Sequence, residues 1–346
     1  MNFVYDLSVL DYAYLAFLLP IFSILGIFSN ILIIKTIKEY FKIQVRIRKK
    51  KEKMFYDIRT IAILNIAYNS LSLLSLMSEC INNEESKFCS SIRMEEFVQY
   101  FTIIFVIYFR NAIRIFLSLN YLLFSLNRYI LLLDESSKEK HKLKIAFLNS
   151  KKLKFFCASV SLCLSIFFFF EYSINYYFFR NQFPINISRF KALKNDLIDF
   201  LKFLNYFLNN ILFLLFEIIL NALLVKIMHK YVVNNEKLNK SISASKAGSE
   251  RRLTVMVVVN CLFLVVFRSI DLFFIILHKI KDSFGLGEAV NTSCGLYDND
   301  FCEVYLKYAE FCYLLSNSFN IFIYYLFNKK FKEALISIFS NKTKNN

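Results

Sequence analysis

The sequence predicts an all-α membrane protein, a seven-transmembrane helix bundle with a short amphipathic eighth helix. Of its 346 residues, 57% are hydrophobic, and they fall in long unbroken blocks rather than at helix or strand period. A bilayer core needs about 20 apolar residues per spanning helix. Blocks this long exclude barrel strands, and helices are then the only spans that satisfy their own backbone in lipid. The second observation is the loop charge. Lys and Arg crowd every other connection between the blocks.

The elements follow in order. The first block runs from about Tyr12 to Ile34. No Lys or Arg precedes it, so the charged start of a cleavable signal is missing and the block is read as an uncleaved first span. The second runs from about Ile58 to Ser78, and the third from about Phe97 to Leu133. The third is long enough for a tilted helix that emerges from the membrane. The fourth, fifth and sixth run from about Leu153 to Phe179, Phe200 to Met228 and Leu253 to Leu277. The seventh runs from about Val304 to Phe327. Residues 1–340 are thus expected to form one seven-span unit, with 341–346 the end of a cytoplasmic tail.

Loop charge orients the chain. Lys35–Arg59, Asp134–Lys154, Lys226–Arg252 and Asn328–Asn346 hold 29 Lys and Arg, against 9 on the opposite side. The richer side is expected to be cytoplasmic, with the N-terminus outside and the C-terminus inside. The net charge of +16 would point to nucleic acid in a soluble protein. Here it is spent on the inner loops, so the expected partner is membrane lipid, with Arg46–Lys53 resting on anionic headgroups, and no nucleic acid is expected. Sequons at Asn186 and Asn291 fall in the outer loops and are candidate glycosylation sites.

Four motifs lie at matching depths. The first block contains Gly26-Ile27-Phe28-Ser29-Asn30, and the third ends in Asn127-Arg128-Tyr129. The sixth opens with Arg251-Arg252-Leu253-Thr254. The seventh ends in Asn320-Ile321-Phe322-Ile323-Tyr324, with Phe331 seven residues on. In that order and over roughly Gly26 to Phe331, the chain resembles the rhodopsin-like G-protein-coupled receptors. The resemblance implies a plasma-membrane receptor that passes an extracellular signal to a heterotrimeric G protein. It implies that Arg128, with Tyr129 beside it, holds the resting state and then meets the G protein. Tyr324 would swing inward on activation, and Asn30 and Asn320 would join a polar core. The eighth helix would carry Phe327, Phe331, Ala334, Leu335 and Ile338 on its apolar face and Lys329, Lys330 and Lys332 on its basic one.

The chain departs from that pattern in several places. The acid before the arginine is Asn127, and the proline of the seventh span is Ile321. The aspartate of the second span aligns with Ser70, so sodium modulation is not carried over. The Trp-X-Pro of the sixth span is absent, and the cysteine at the outer end of the third aligns with Ile103.

Ionisable residues inside spans are costly and are functional candidates by default. They are Arg110 and Arg114 in the third block, Glu171 in the fourth, Glu217 in the fifth, Arg268 and Asp271 in the sixth, and Glu310 in the seventh. Arg110 and Arg114 share a helix face and repel unless paired. Counting rise from the motifs puts Arg110 about 27 Å outward of Arg128, and Glu310 about 15 Å outward of Asn320. Arg110, Arg114, Asp271 and Glu310 are therefore expected to read charged groups on a peptide or other polar small ligand, or to neutralise one another as buried pairs. Glu171 and Glu217 are expected to meet polar neighbours instead. Outer cysteines Cys80, Cys89, Cys294 and Cys302 admit three pairings. The local pairs Cys80 with Cys89 and Cys294 with Cys302 are favoured, and a cross-link between the loops stays open.

No enzyme, metal site or cofactor is expected. The three His are scattered near span ends, and no Cys/His cluster has ligand spacing. Two other functions stay open: a seven-span transporter or channel whose charges line a pathway, and a degenerate receptor that no longer signals.

Overall fold

The computed structural model describes residues 13–46, 53–78, 80–82, 87–89, 91–132, 150–166, 168–174, 185–186, 204, 207–238, 252, 254–267, 269 and 300–343. These residues are almost entirely helical. A π-helical turn (Tyr14–Leu18) leads into α1 (Leu19–Arg46). α2 (Lys53–Leu74) ends in a 3₁₀ turn (Ser75–Met77). The short strands β1 (Cys80–Asn82) and β2 (Lys87–Cys89) pair antiparallel. α3 (Glu96–Phe101), a π-helical stretch (Thr102–Phe109) and α4 (Arg110–Leu132) follow without a break.

α5 (Ser150–Ser165) and α6 (Phe168–Glu171) come next, then β3 (Tyr172–Ser173) and β4 (Ile185–Asn186). A π-helical stretch (Phe207–Leu212) opens α7 (Phe213–Leu238). α8 covers Thr254–Phe267, α9 covers Asp300–Phe327, and α10 covers Lys329–Thr343. The fourth apolar block was expected to stay helical to Phe179. Its long helix α5 instead ends at Ser165, and after the short α6, which ends at Glu171, Tyr172 and Ser173 pair with Asn186 and Ile185.

Among the described residues, three helical stretches are long and apolar enough to cross a membrane: Tyr14–Ile43, Met54–Met77 and Glu96–Leu131. Their 30, 24 and 36 residues all exceed the roughly 20 that the hydrocarbon core requires. The outward flanks of the helices are apolar, and polar side chains are buried among the apolar ones inside. α1 exposes Ile21, Ile24, Leu25, Phe28 and Ile31 on one flank and buries Ser23, Ser29, Asn30 and Thr36. α7 exposes Leu215, Phe216, Ile218, Ile219 and Leu223, while Leu214, Glu217, Asn221 and Leu224 turn inward at a spacing of three and four. An exposed apolar area of this extent is foreign to monomers in water. It suits helices whose outer solvent is lipid.

α1 packs against α2 and α9, α4 against α2, α5 and α7, and α10 folds back on α1. α1 and α2 come close together at Gly26, where a Cβ would lie 2.6 Å from Asn69 Nδ2. Only a residue without a side chain lets Asn69 sit there. The core joins Ile33, Ile37 and Tyr40 of α1 to Phe55, Ile58 and Ile61 of α2. Tyr121 and Phe124 of α4, Met256, Val257, Cys261 and Leu264 of α8, Leu314 and Tyr324 of α9, and Phe331, Ala334 and Leu335 of α10 belong to it as well.

Candidate functional site

Arg110 is the first residue of α4 and Glu310 lies one third of the way along α9. Their side chains meet, with Arg110 Nη1 donating to Glu310 Oε1 at 2.6 Å. The same oxygen accepts from Ser72 Oγ of α2 at 3.1 Å, so one carboxylate ties three helices together. Each member of the ion pair keeps about a fifth to a quarter of its side chain exposed (24% and 20%), so the pair sits at the edge of the packed interior rather than sealed within it.

Arg114, one turn further in, places its guanidinium over the Tyr313 ring, 5.2 Å from the centroid. Tyr313 meets Tyr68 of α2 edge-on at 4.8 Å. Tyr68 also lies within electrostatic reach of Glu310, Arg110 and Arg114. The two arginines that share a face are thereby separated in function. One is neutralised by a carboxylate, and the other rests on an aromatic face, as a guanidinium does well.

Asp271, Arg268, Asn291 and Cys294 lie outside the described residues, as do the side chains of Glu171, Asn186, Cys80, Cys89 and Cys302. Asn186 belongs to β4 opposite Tyr172. Cys302 stands in the first turn of α9, and Cys80 and Cys89 face each other in the β1–β2 register. Glu217 is buried on α7 one turn before buried Asn221.

Below the charged cluster, the interior is a run of amides and hydroxyls. Asn30 Nδ2 donates to the carbonyls of Gly26 at 2.8 Å and Asn317 at 3.3 Å, tying α1 to α9. Asn65 Nδ2 donates to Asn30 Oδ1 at 3.3 Å. The second-span partner of Asn30 is therefore Asn65. The Gly26–Asn69 contact fixes this register. Asn320 Nδ2 donates to Tyr121 Oη at 3.0 Å, and Tyr121 lies beside Asn65. Tyr324 is buried against Phe331 with ring centroids 5.8 Å apart, and it faces Asn260 of α8.

Near the C-terminal end of α4, the buried Arg128 guanidinium donates to the Met54 sulfur, and Tyr129 is half-buried against the core. The next helix starts cleanly. Asn328 caps α10 by accepting from the Phe331 N–H at 3.1 Å. That geometry satisfies an amide a helix start would otherwise orphan.

Sequence reasoning named Arg110, Glu310, Arg128, Asn30 and Asn320, and the structure bonds Arg110 to Glu310 and ties Asn30 and Asn320 to neighbouring helices. It missed Ser72, Tyr68, Tyr313, Asn65 and Tyr121. Tyr68 and Ser72 stand four apart and Asn65 and Asn69 likewise, so polar residues at helical spacing within an apolar block were the available signal. Against known proteins, the chain matches no family model and no curated protein.

Proposed function

We propose that this chain is a seven-span receptor of the rhodopsin-like class, taking a peptide or other polar ligand on its outer side and coupling to a G protein on its inner side. The observation that carries the reading is a set of polar groups bonded between helices of an apolar bundle. Arg110, Glu310 and Ser72 form one cluster, Asn30, Asn65, Asn317, Tyr121 and Asn320 a second, and Arg128 meets Met54 at the far end of α4. A ligand group that competes for Arg110 or Glu310 would loosen a bond holding α4, α9 and α2 together. The amides below it bond across the same helices, so a shift at one end has a path to the other.

In thermodynamic terms, a ligand that binds the signalling arrangement more tightly than the resting one moves the population toward it. Arg128 would then leave Met54 and meet the G protein. The runner-up, a transporter or channel, shares the buried charges. The direct 2.6 Å closure of Arg110 on Glu310 favours a latch over a pathway. Plasma-membrane placement, with the N-terminus outside, follows from the loop charge and the receptor reading together.

The test is G-protein dissociation in cells expressing the chain and challenged with fractionated peptide extracts, with Arg128→Ala alongside. A response that disappears in Arg128→Ala is expected. Silence across all fractions at full surface expression would turn the reading toward a non-signalling receptor, and ion flux dependent on Arg110 would turn it toward transport.

A further inference from the structure

The first two turns of α2 present Met54, Asp57 and Thr60 at a spacing of three, hence on one face. That face is turned toward the inner ends of α4 and α5. Asp57 is buried, and its carboxylate accepts from two helices at once. Lys154 Nζ of α5 donates to Oδ1 at 2.7 Å, and Asn127 Nδ2 of α4 donates to Oδ2 at 3.4 Å. Lys154 also donates to Thr60 Oγ1 at 3.3 Å. Met54, one turn earlier, takes the guanidinium of Arg128. Three successive positions on α2 thus hold residues 127, 128 and 154.

The residue before Arg128 is a neutral amide and cannot supply the negative charge at this end of α4. Asp57 supplies it from the neighbouring helix. We infer that Asp57 is a positioning residue for Arg128: by gripping Asn127 and Lys154 it fixes the inner end of α4 in its resting place. A carboxylate this buried requires its cation, and taking away either partner leaves an uncompensated charge or an unmet donor. The grip is therefore all-or-none, as a restraint on a two-state element needs to be. Its regulatory meaning rests on the receptor reading above, while the restraint itself does not.

The protein carries its own reporter. Cys261 of α8 is fully buried, with its sulfur 3.0 Å from Ser125 Oγ, one turn before Arg128 on α4. Cys163 on α5 is exposed and serves as the internal standard. N-ethylmaleimide labelling of Cys261 relative to Cys163 would be followed by peptide mass spectrometry in intact membranes. Basal G-protein dissociation would be read from the same cells.

Asp57→Asn is expected to speed Cys261 labelling on the order of tenfold, the change in local opening that follows loss of one charge-assisted bond. The exchange Asp57→Asn with Asn127→Asp returns the carboxylate from the α4 side and should restore slow labelling. Should Asp57→Asn fail to reach the membrane, Lys154→Gln breaks the same bond from its other end. Basal dissociation that rises with labelling and falls again in the exchange variant would support both the restraint and the receptor reading. Labelling that rises and is restored while no variant engages a G protein would support the restraint and overturn the receptor reading. Wild-type labelling in Asp57→Asn, or no restoration by the exchange, would overturn the restraint.

Discussion

Asn320 and Tyr121 are 199 residues apart in sequence, yet they share a 3.0 Å hydrogen bond that joins α9 to α4 in the buried interior. Neither group can turn to water there, so each depends on the other. Tyr121→Phe and Asn320→Ala should each lower thermal stability, and the double variant should cost less than their sum. Interhelical bonds of this kind couple by about 0.6 kcal/mol on average and up to about 1.7 kcal/mol. Thermal unfolding of the four proteins in detergent measures the coupling, and strict additivity would mean the bond contributes nothing.

The Arg110–Glu310 pair makes a sharper demand. Arg110→Gln leaves Glu310 beside Ser72 without its cation, and Glu310→Gln leaves Arg110 facing a neutral amide. Each single variant should lose more stability than the pair of changes made together, with a coupling of about 0.5–3 kcal/mol. In a signalling assay, both single variants should shift ligand potency. Unchanged potency in both would separate this cluster from ligand recognition and leave it a purely structural tie.

Gly26 tests the packing of α1 on α2. A Cβ at this position would fall 2.6 Å from Asn69 Nδ2, a distance real contacts do not reach. Gly26→Val should therefore displace Asn69, which bonds the Asn65 carbonyl at 2.7 Å, and destabilise the fold by about 1–3 kcal/mol as overpacking does. Combining it with Asn69→Ala should recover much of the loss. The measurement is again the unfolding midpoint of purified protein.

The β1–β2 hairpin places Cys80 directly across from Cys89. Opposed residues of an antiparallel pair have Cα atoms about 4.5–5.5 Å apart, inside the range a disulfide spans. If this loop faces an oxidising compartment, the peptide holding both cysteines should run about 2 Da lighter before reduction than after it, the mass of the two hydrogens lost in forming the bond. Neither residue should then label with maleimide until reduced. Ready labelling of both in untreated membranes would refute the pairing and the outward placement of this loop together.

The helical architecture was legible because membrane helices advertise themselves by composition. Met54–Met77 and Glu96–Leu131 coincide with the second and third apolar blocks to within a few residues, and Tyr14–Ile43 contains most of the first and runs nine residues beyond its expected end at Ile34. Arg110 and Glu310 were legible for the converse reason, as charges where charge is costly. What stayed hidden was polar but neutral. Ser72, Tyr68 and Tyr121 are unremarkable in a chain rich in Ser and Tyr, and only the packing of α2 against α4 and α9 selects them. The Asp57–Lys154 tie was hidden differently. Each residue sits among the inner-end charges that loop counting assigns to the cytoplasm, and nothing in the local pattern distinguishes an anchored lysine from a solvated one. The early end of the fourth helix was also invisible, since the apolar run continues past Glu171 and the strand pairing at Tyr172 depends on a distant segment.

The π-helical stretch Thr102–Phe109 divides this long helix into two parts. Each α-helical residue turns the chain by about 100°. A π turn holds about one residue more than an α turn, so deleting one residue from the wide stretch would let it tighten to α geometry while Glu96–Phe101 and Arg110–Leu132 both kept their faces and neighbours. The helix thus has a place where its length can change by one residue without re-aiming either end. Two relatives that differ by one residue here could share the same packing on both sides of it.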